Sequence, residues 1–201
     1  MDDLFVKIFL PVFLFLYLEV AFVWPSLKVW RTTGINPLAF SSEDNTHNYI
    51  GKWFKILIGL MIVSVVMFIA GESAYEYLMP AHYLEVKWVR ITAIVLCFIS
   101  LLVTMLGHFD MAQSWRIGID KINEAPLVQT GLFRFSRNPV FLSMIVVLVC
   151  LFFLIPNAIT LVTLVSGYIL IQLQVRLEEE FLLQKHGDVY KQYCGQVRRW
   201  F

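Results

Sequence analysis

Long apolar runs, broken by short polar segments, set the pattern of this chain. A helix crossing the hydrocarbon core of a bilayer takes roughly 20 mainly apolar residues. Five stretches reach or approach that length: about Leu4 to Trp24, Trp53 to Ala70, Val89 to Leu106, Val140 to Ile155 and Ala158 to Val175. Only Pro156 and Asn157 separate the last two. That predicts a tight helical hairpin, with the proline ending one helix and the asparagine capping the next. The fourth stretch is short for a span and is expected to tilt or to sit shielded by protein. Segment 31–52, rich in Thr, Asn, Ser and Pro, reads as a polar connection with room for a short interfacial helix. No internal repeat, low-complexity tract or soluble domain interrupts the pattern. The expected architecture is an all-α integral membrane protein of about five transmembrane helices. It divides into three N-terminal spans over 1–106 and a C-terminal region, 107–201, holding the hairpin and a polar tail.

Composition supports this and removes other classes. Hydrophobic residues make up 59% of the 201, charged residues 15%, and mean hydropathy is +0.71. An ordinary soluble domain carries about 25% charge, and a disordered chain needs low hydrophobicity with high net charge. A net charge of +1 leaves no electrostatic footprint for nucleic acid. Cys97, Cys150 and Cys194 are odd in number and lack metal-ligand spacing, so they read as small apolar residues. His47, His82, His108 and His186 are scattered, without a metal pattern. No Gly-x-Gly-x-x-Gly follows a strand, and Ser114, Ser136 and Ser143 have no nucleophile-elbow setting. The first apolar run follows Asp2 and Asp3 and shows no small-x-small cleavage site, so it reads as a retained helix. Nothing in the pattern sets an oligomeric state.

The cations sort by loop. Lys28, Arg31 and Lys52 follow span one, and Arg116, Lys121, Arg134 and Arg137 follow span three. Arg176, Lys185, Lys191, Arg198 and Arg199 follow span five, whereas Glu72, Glu76 and Glu85 dominate the loop after span two. The positive-inside rule then places the N-terminus outside and the C-terminus in the cytoplasm. Trp115, Trp200 and Phe201 read as interface anchors. Lys7 and Glu19 lie in span one, too far apart to pair within it, either near its ends or facing the bundle.

Two segments carry most of the remaining polar chemistry. In Ala125–Pro139, Gln129-Thr130-Gly131 reads as a turn, and the alternation of Phe133 and Phe135 with Arg134 and Ser136 suggests a short extended piece. Asn138 precedes proline and is biased away from helix, while Pro139 suits a first helical turn. The helix N-terminus there offers a seat to an anionic group; the plainer reading is a basic juxtamembrane loop. In Gln172–Gly187, Arg176 shares a helix face with Glu179 and Glu180 and can pair with them. Gly187 reads as a helix stop, and Asp188 as the cap of a second short helix carrying Tyr190, Lys191 and Tyr193. The plainer reading of this segment is a solvated helix end with a snorkelling arginine.

Taken together, these segments resemble the isoprenylcysteine carboxyl methyltransferase family, and its short prokaryotic members in particular. The family pattern of Leu-Val, Thr-x-Gly, an aromatic, Arg-His-Pro and a tyrosine is met here by Leu127, Val128, Gly131, Phe133, Arg137-Asn138-Pro139 and Phe141. A Glu-Glu pair, a glycine and spaced tyrosines follow the family's hairpin. Here these are Glu178-Glu179, Gly187, Tyr190 and Tyr193, before Val197-Arg198. Ser114-Trp115-Arg116 and Gly118-Ile119-Asp120 also look like bacterial members. Asn138 stands where the family has histidine and Phe141 where it has tyrosine. Neither can carry a proton or donate a hydroxyl as those residues do.

The resemblance implies an S-adenosyl-L-methionine-dependent membrane methyltransferase with a cofactor pocket facing the cytoplasm. A lipophilic small-molecule or lipid-like acceptor, a carboxylate or thiol, would enter sideways from the bilayer. It implies that Arg176 holds the acceptor and that Glu179, or else Glu178, binds the cofactor's amino group or ribose. Arg137 with the helix N-terminus at Pro139 would receive its carboxylate. Phe133 and Phe141 would pack the adenine or wall the pocket, with Leu127, Val128, Gly131, Asn138 and Tyr190 also at the cofactor. A phospholipid or small-thiol methyltransferase, an NADPH-dependent membrane reductase and a non-enzymatic membrane scaffold stay open as alternatives.

Overall fold

A computed structural model describes residues 3–34, 46–111 and 126–200. The described elements are helical. α1 (Asp3–Leu18) runs through a π turn (Glu19–Val23) into α2 (Trp24–Thr33). α3 (Thr46–Ala70) and the short α4 (Glu72–Glu76) come next, then α5 (Lys87–Met111), α6 (Pro139–Leu154), α7 (Ala158–His186) and α8 (Asp188–Gln196).

Among the described residues, four helices are long and apolar enough to cross a membrane: Asp3–Thr32, Asn48–Ala70, Lys87–Met111 and Ala158–His186. The sixteen residues of α6 cover about 24 Å at ~1.5 Å per residue, short of the roughly 30 Å core. α6 packs against both α5 and α7, and α7 against α3. Two glycines permit close approach. A Cβ at Gly107 would lie 2.5 Å from the Val140 side chain, and one at Gly167 would lie 2.6 Å from Leu148.

The π turn has a local cause. Pro25 has no N–H for the carbonyl four residues back, that of Ala21, and the helix widens just before it. The buried His108 of α5 lies against the Ala21 backbone. Glu19 opens this π turn, and the Lys7 ammonium lies over the Phe68 ring. Buried hydroxyls join helices in the same region: Thr104 Oγ1 and Ser143 Oγ are 2.6 Å apart, linking α5 to α6.

The hairpin turn forms as expected. Asn157 accepts from the Thr160 amide at 3.0 Å, and Thr160 Oγ1 accepts from the Asn157 amide at 3.1 Å, a reciprocal cap. Asn157 Nδ2 also donates to Ser64 Oγ of α3 at 2.8 Å. The α4–α5 connection closes over this turn through Ala81 N to Pro156 O (2.8 Å) and Ala158 N to Leu78 O (3.0 Å). Burial pushes the Tyr75 phenol up to about 12, so it stays protonated and donates to Pro156 O at 3.3 Å.

Charged groups tie the same end of the bundle together. The buried Arg90 of α5 donates to Asp3 of α1 at 2.9 Å and to Glu85 at 2.8 Å. His82 bridges two carboxylates, Nε2 to Glu76 at 2.8 Å and Nδ1 to Glu85 at 3.1 Å. Both ring nitrogens face acceptors, so this geometry holds an imidazolium. Glu76, by hydrogen bond, is the largest cause that raises the His82 pKa above its ordinary value.

Two measurements test this end of the bundle. Replacing Asn157 with alanine removes a cap and a cross-helix bond, and should lower stability by about 1–3 kcal/mol. Asn157→Ser, which keeps the cap alone, should fall between. Thermal unfolding in detergent reads both. His82 has its pKa raised on folding, so its contribution is complete below the unfolded value and is lost as pH rises through the folded one. The melting difference between wild type and His82→Ala should therefore be largest near about pH 5 and vanish in alkali.

Candidate active site at the Glu179 end of the bundle

The opposite end gathers the charged residues singled out in the sequence. Thr130 is extended and Gly131 adopts φ +59°, so the chain turns sharply there, as the Gln-Thr-Gly signal predicts. A Cβ on Gly131 would collide with the Asp110 carboxylate, which accepts from the Leu132 amide at 2.7 Å. The turn is thereby pinned to the end of α5. Residues Gly131–Arg134 wind into a 3-10 turn, not the extended piece suggested by alternation. Asp110 binds the turn's backbone, and Phe133 is buried while Phe135 stays exposed. Asn138 leaves the helical region (φ −135°, ψ 52°) and Pro139 starts α6, both as predicted.

α7 carries Glu179 to meet this segment. Oε1 of Glu179 accepts from Arg137 Nε (3.2 Å), Arg137 Nη2 (3.1 Å) and Asn138 Nδ2 (3.2 Å). Oε2 accepts from Arg199 Nε (3.0 Å) and Nη2 (2.7 Å). The side chains of Arg137 and Glu179 are each 12% exposed, against 38% for Arg199. A largely buried carboxylate is stable as an ion only when fully hydrogen-bonded, and five donors meet that condition. Glu179 in turn holds the Arg199 pKa above its ordinary value, chiefly by hydrogen bonding.

The C-terminal segment is strapped across residues 136–138 by its own backbone. Arg137 N donates to Arg198 O at 3.0 Å. Arg137 Nη1 donates to Cys194 O (3.3 Å) and Val197 O (3.2 Å). Ser136 Oγ and Asn138 Nδ2 both donate to Arg199 O at 3.3 Å. Beneath the strap, Tyr190 and Tyr193 of α8 are buried. Burial raises both phenols, Tyr193 to about 12, and the protonated Tyr193 hydroxyl donates to Phe133 O at 2.6 Å.

The structure thus brings Phe133, Arg137, Asn138, Glu179 and Tyr190 into one assembly, with Pro139 at its edge. Leu127, Val128 and Phe141 are half-buried nearby in sequence. Arg176 does not join. It is exposed, and among the described residues no ion pair links it to Glu179 or Glu180. On α7 it continues the exposed positions Ile169 and Leu173, while Glu179 turns towards the strap. Glu178 is half-buried, and its Oε1 accepts from Gln174 Nε2 at 3.0 Å. Gly187 stops α7 with φ +54°, as predicted, and is itself the residue preceding α8; Asp188 is the first helical residue and pairs with Lys191 instead of capping. Ser114-Trp115-Arg116 and Gly118-Ile119-Asp120 lie outside the described residues.

Sequence reasoning missed three participants: Asp110, Ser136 and Arg199. Asp110 is a carboxylate at the end of an apolar helix, a placement that marks functional or structural use. In the sequence Arg199 reads only as one more topological cation. A shallow cleft of about 340 Å³ lies beside the site, lined by Leu106, Asp110, Gly131, Leu132, Arg134 and Phe135.

Comparison with known proteins agrees with the motif reading. Residues 88–185 match the model of the isoprenylcysteine carboxyl methyltransferase family, whereas a search of curated proteins finds no match. The matched stretch begins in α5, takes in α6 and ends in the last turn of α7. It includes Arg137, Asn138, Glu178 and Glu179. Over that stretch, just under half of the chain, the protein is similar to the isoprenylcysteine carboxyl methyltransferase family.

Proposed function

We propose that this protein transfers a methyl group from S-adenosyl-L-methionine to a lipophilic acceptor bearing a carboxylate or thiol. The observation that carries the reading is the paired-arginine cage around Glu179 at one end of an apolar bundle, in which Arg137, Asn138 and Glu179 are residues of the family motif and Arg199 joins them from the C-terminal strap. The donor set suits a zwitterionic amino-acid group. It offers guanidinium N–H groups for a carboxylate and, in Glu178, a carboxylate whose Oε1 takes one amide donor. Glu179 is less suited to touch a ligand. A carboxylate has about four lone-pair sites, and five donors already fill them. Its role is to orient Arg137, Asn138 and Arg199, and Glu178 takes the ammonium.

When bound, the cofactor supplies an activated methyl group. The chain's own task is positioning and exclusion of water. The first-turn amides of Val140 and Phe141 have no helical acceptor, and they add partial positive charge to the mouth. Phe133, Phe141, Leu127 and Val128 supply apolar walls for a nucleobase. Arg176, on the exposed side of α7 beyond Leu173, meets an anionic acceptor that arrives through the bilayer. Its outward position fits lateral entry better than a path through the packed core.

The purified full chain in detergent should bind S-adenosylhomocysteine by calorimetry and give no heat with NADPH. Binding of NADPH alone would replace this reading with the reductase, and binding of neither with the scaffold. Arg176→Ala should cut kcat/KM for methyl transfer about 10- to 100-fold, the value of a charge-assisted hydrogen bond. Its S-adenosylhomocysteine affinity should stay within about twofold of wild type on the same scale. A prenylated N-acetylcysteine, a fatty acid and a long-chain thiol serve as acceptors. Undiminished transfer to all three by the variant removes Arg176 from the acceptor site.

A further inference from the structure

The family motif points to Arg137 as the cation for a ligand carboxylate, but the geometry points elsewhere. Arg137 is spent. Of the five guanidinium N–H groups an arginine carries, four are used: Nε and one on Nη2 towards Glu179, both on Nη1 towards the Cys194 and Val197 carbonyls. With one N–H left and its side chain only 12% exposed, it has neither the pair of donors nor the access to receive a carboxylate.

Arg199 is built the other way. Its Nε and one Nη2 N–H engage Glu179, and no further hydrogen bond of this side chain is formed among the described residues. Three N–H groups, both on Nη1 included, are therefore left to a ligand. The side chain is 38% exposed. Its placement is fixed from two sides. The backbone is held by Ser136, Asn138 and the Arg137 amide, and the guanidinium is anchored edge-on by Glu179. A guanidinium locked along one edge presents the opposite edge in a set direction, which is the condition for bidentate recognition of a carboxylate.

We infer that Arg199 is the residue that receives the carboxylate of an amino-acid-bearing ligand at this site, and that Arg137 is a positioning residue behind it. The inference rests on the cofactor reading above and refines it. It also gives the strap a purpose, since the 197–200 segment delivers a binding group to residues matched by the family model without lying within that match. Glu179 then serves two ends: it neutralises Arg137 inside the protein and aims Arg199 outward.

The test compares two ligands that differ in the amino-acid group. S-adenosylhomocysteine carries the carboxylate, and 5′-methylthioadenosine shares the nucleoside and thioether without it. By calorimetry on the full chain, Arg199→Ala should weaken S-adenosylhomocysteine about tenfold or more, and change methylthioadenosine less than about twofold. Arg199→Gln, which keeps an amide donor for Glu179, should give the same contrast and serves where the alanine variant melts early. An equal loss for both ligands would mean that Arg199 only supports the fold, and no loss for either would mean that it does not touch the ligand; each overturns the inference. Wild-type protein that binds neither ligand overturns the cofactor reading itself, and the inference with it.

Discussion

The Glu179 end of this bundle depends on one carboxylate. Glu179 sits on a helix whose lower part is apolar, where an unpaired charge costs several kcal/mol. Its ionised form is tenable because Arg137, Asn138 and Arg199 surround it. Those partners come from the segment before α6 and from the C-terminal strap. One group therefore holds three stretches of chain together. Removing its charge would leave two guanidinium groups competing for backbone carbonyls, so the segment, the strap and α7 have to be considered as a unit.

The apolar bundle positions that unit. α6 is short, and its first turn lies where Gly107 lets α5 come close to Val140. The Asp110 carboxylate at the end of α5 catches the turn at Leu132, and Tyr193 of α8 catches the same turn through Phe133 O. The 131–139 connection is thus held by two helices before Arg137 and Asn138 reach Glu179. At the far end, the Asn157 cap and the Arg90 cluster fix the hairpin and the entry of α5. Precision at the site follows from rigidity at both ends of α5, α6 and α7.

Much of this was legible in the sequence because it is written in local physics. Apolar run length located the helices, Pro156-Asn157 the hairpin turn, Gly131 the turn before α6 and Gly187 the end of α7. The misreadings all involve long-range partners. The Phe133–Ser136 alternation has the period of a strand, but Asp110, some twenty residues away, binds the turn and winds it into a 3-10 helix. Arg176 has the right spacing to pair with Glu179 on one helix face. Arg137 and Arg199 approach Glu179 from outside that helix and win because they are less solvated there, leaving Arg176 on the exposed side. Arg199 itself looks like a topological charge in the sequence, and only the folded strap gives it a partner. The family motif holds Arg137, Asn138 and Glu179, whereas Asp110, Ser136 and Arg199 join them only through long-range contacts.

The central claim is that the Glu179 cage and its strap form the ligand site. Hydrogen–deuterium exchange of the full chain in lipid nanodiscs, with and without S-adenosylhomocysteine, tests this most directly. Ligand should slow exchange in the first turn of α6 and in the 197–200 strap, and leave the 72–87 connection at the other end unchanged. Protection confined to that far connection, or none at the strap and the α6 N-terminus under saturating ligand, would contradict the account.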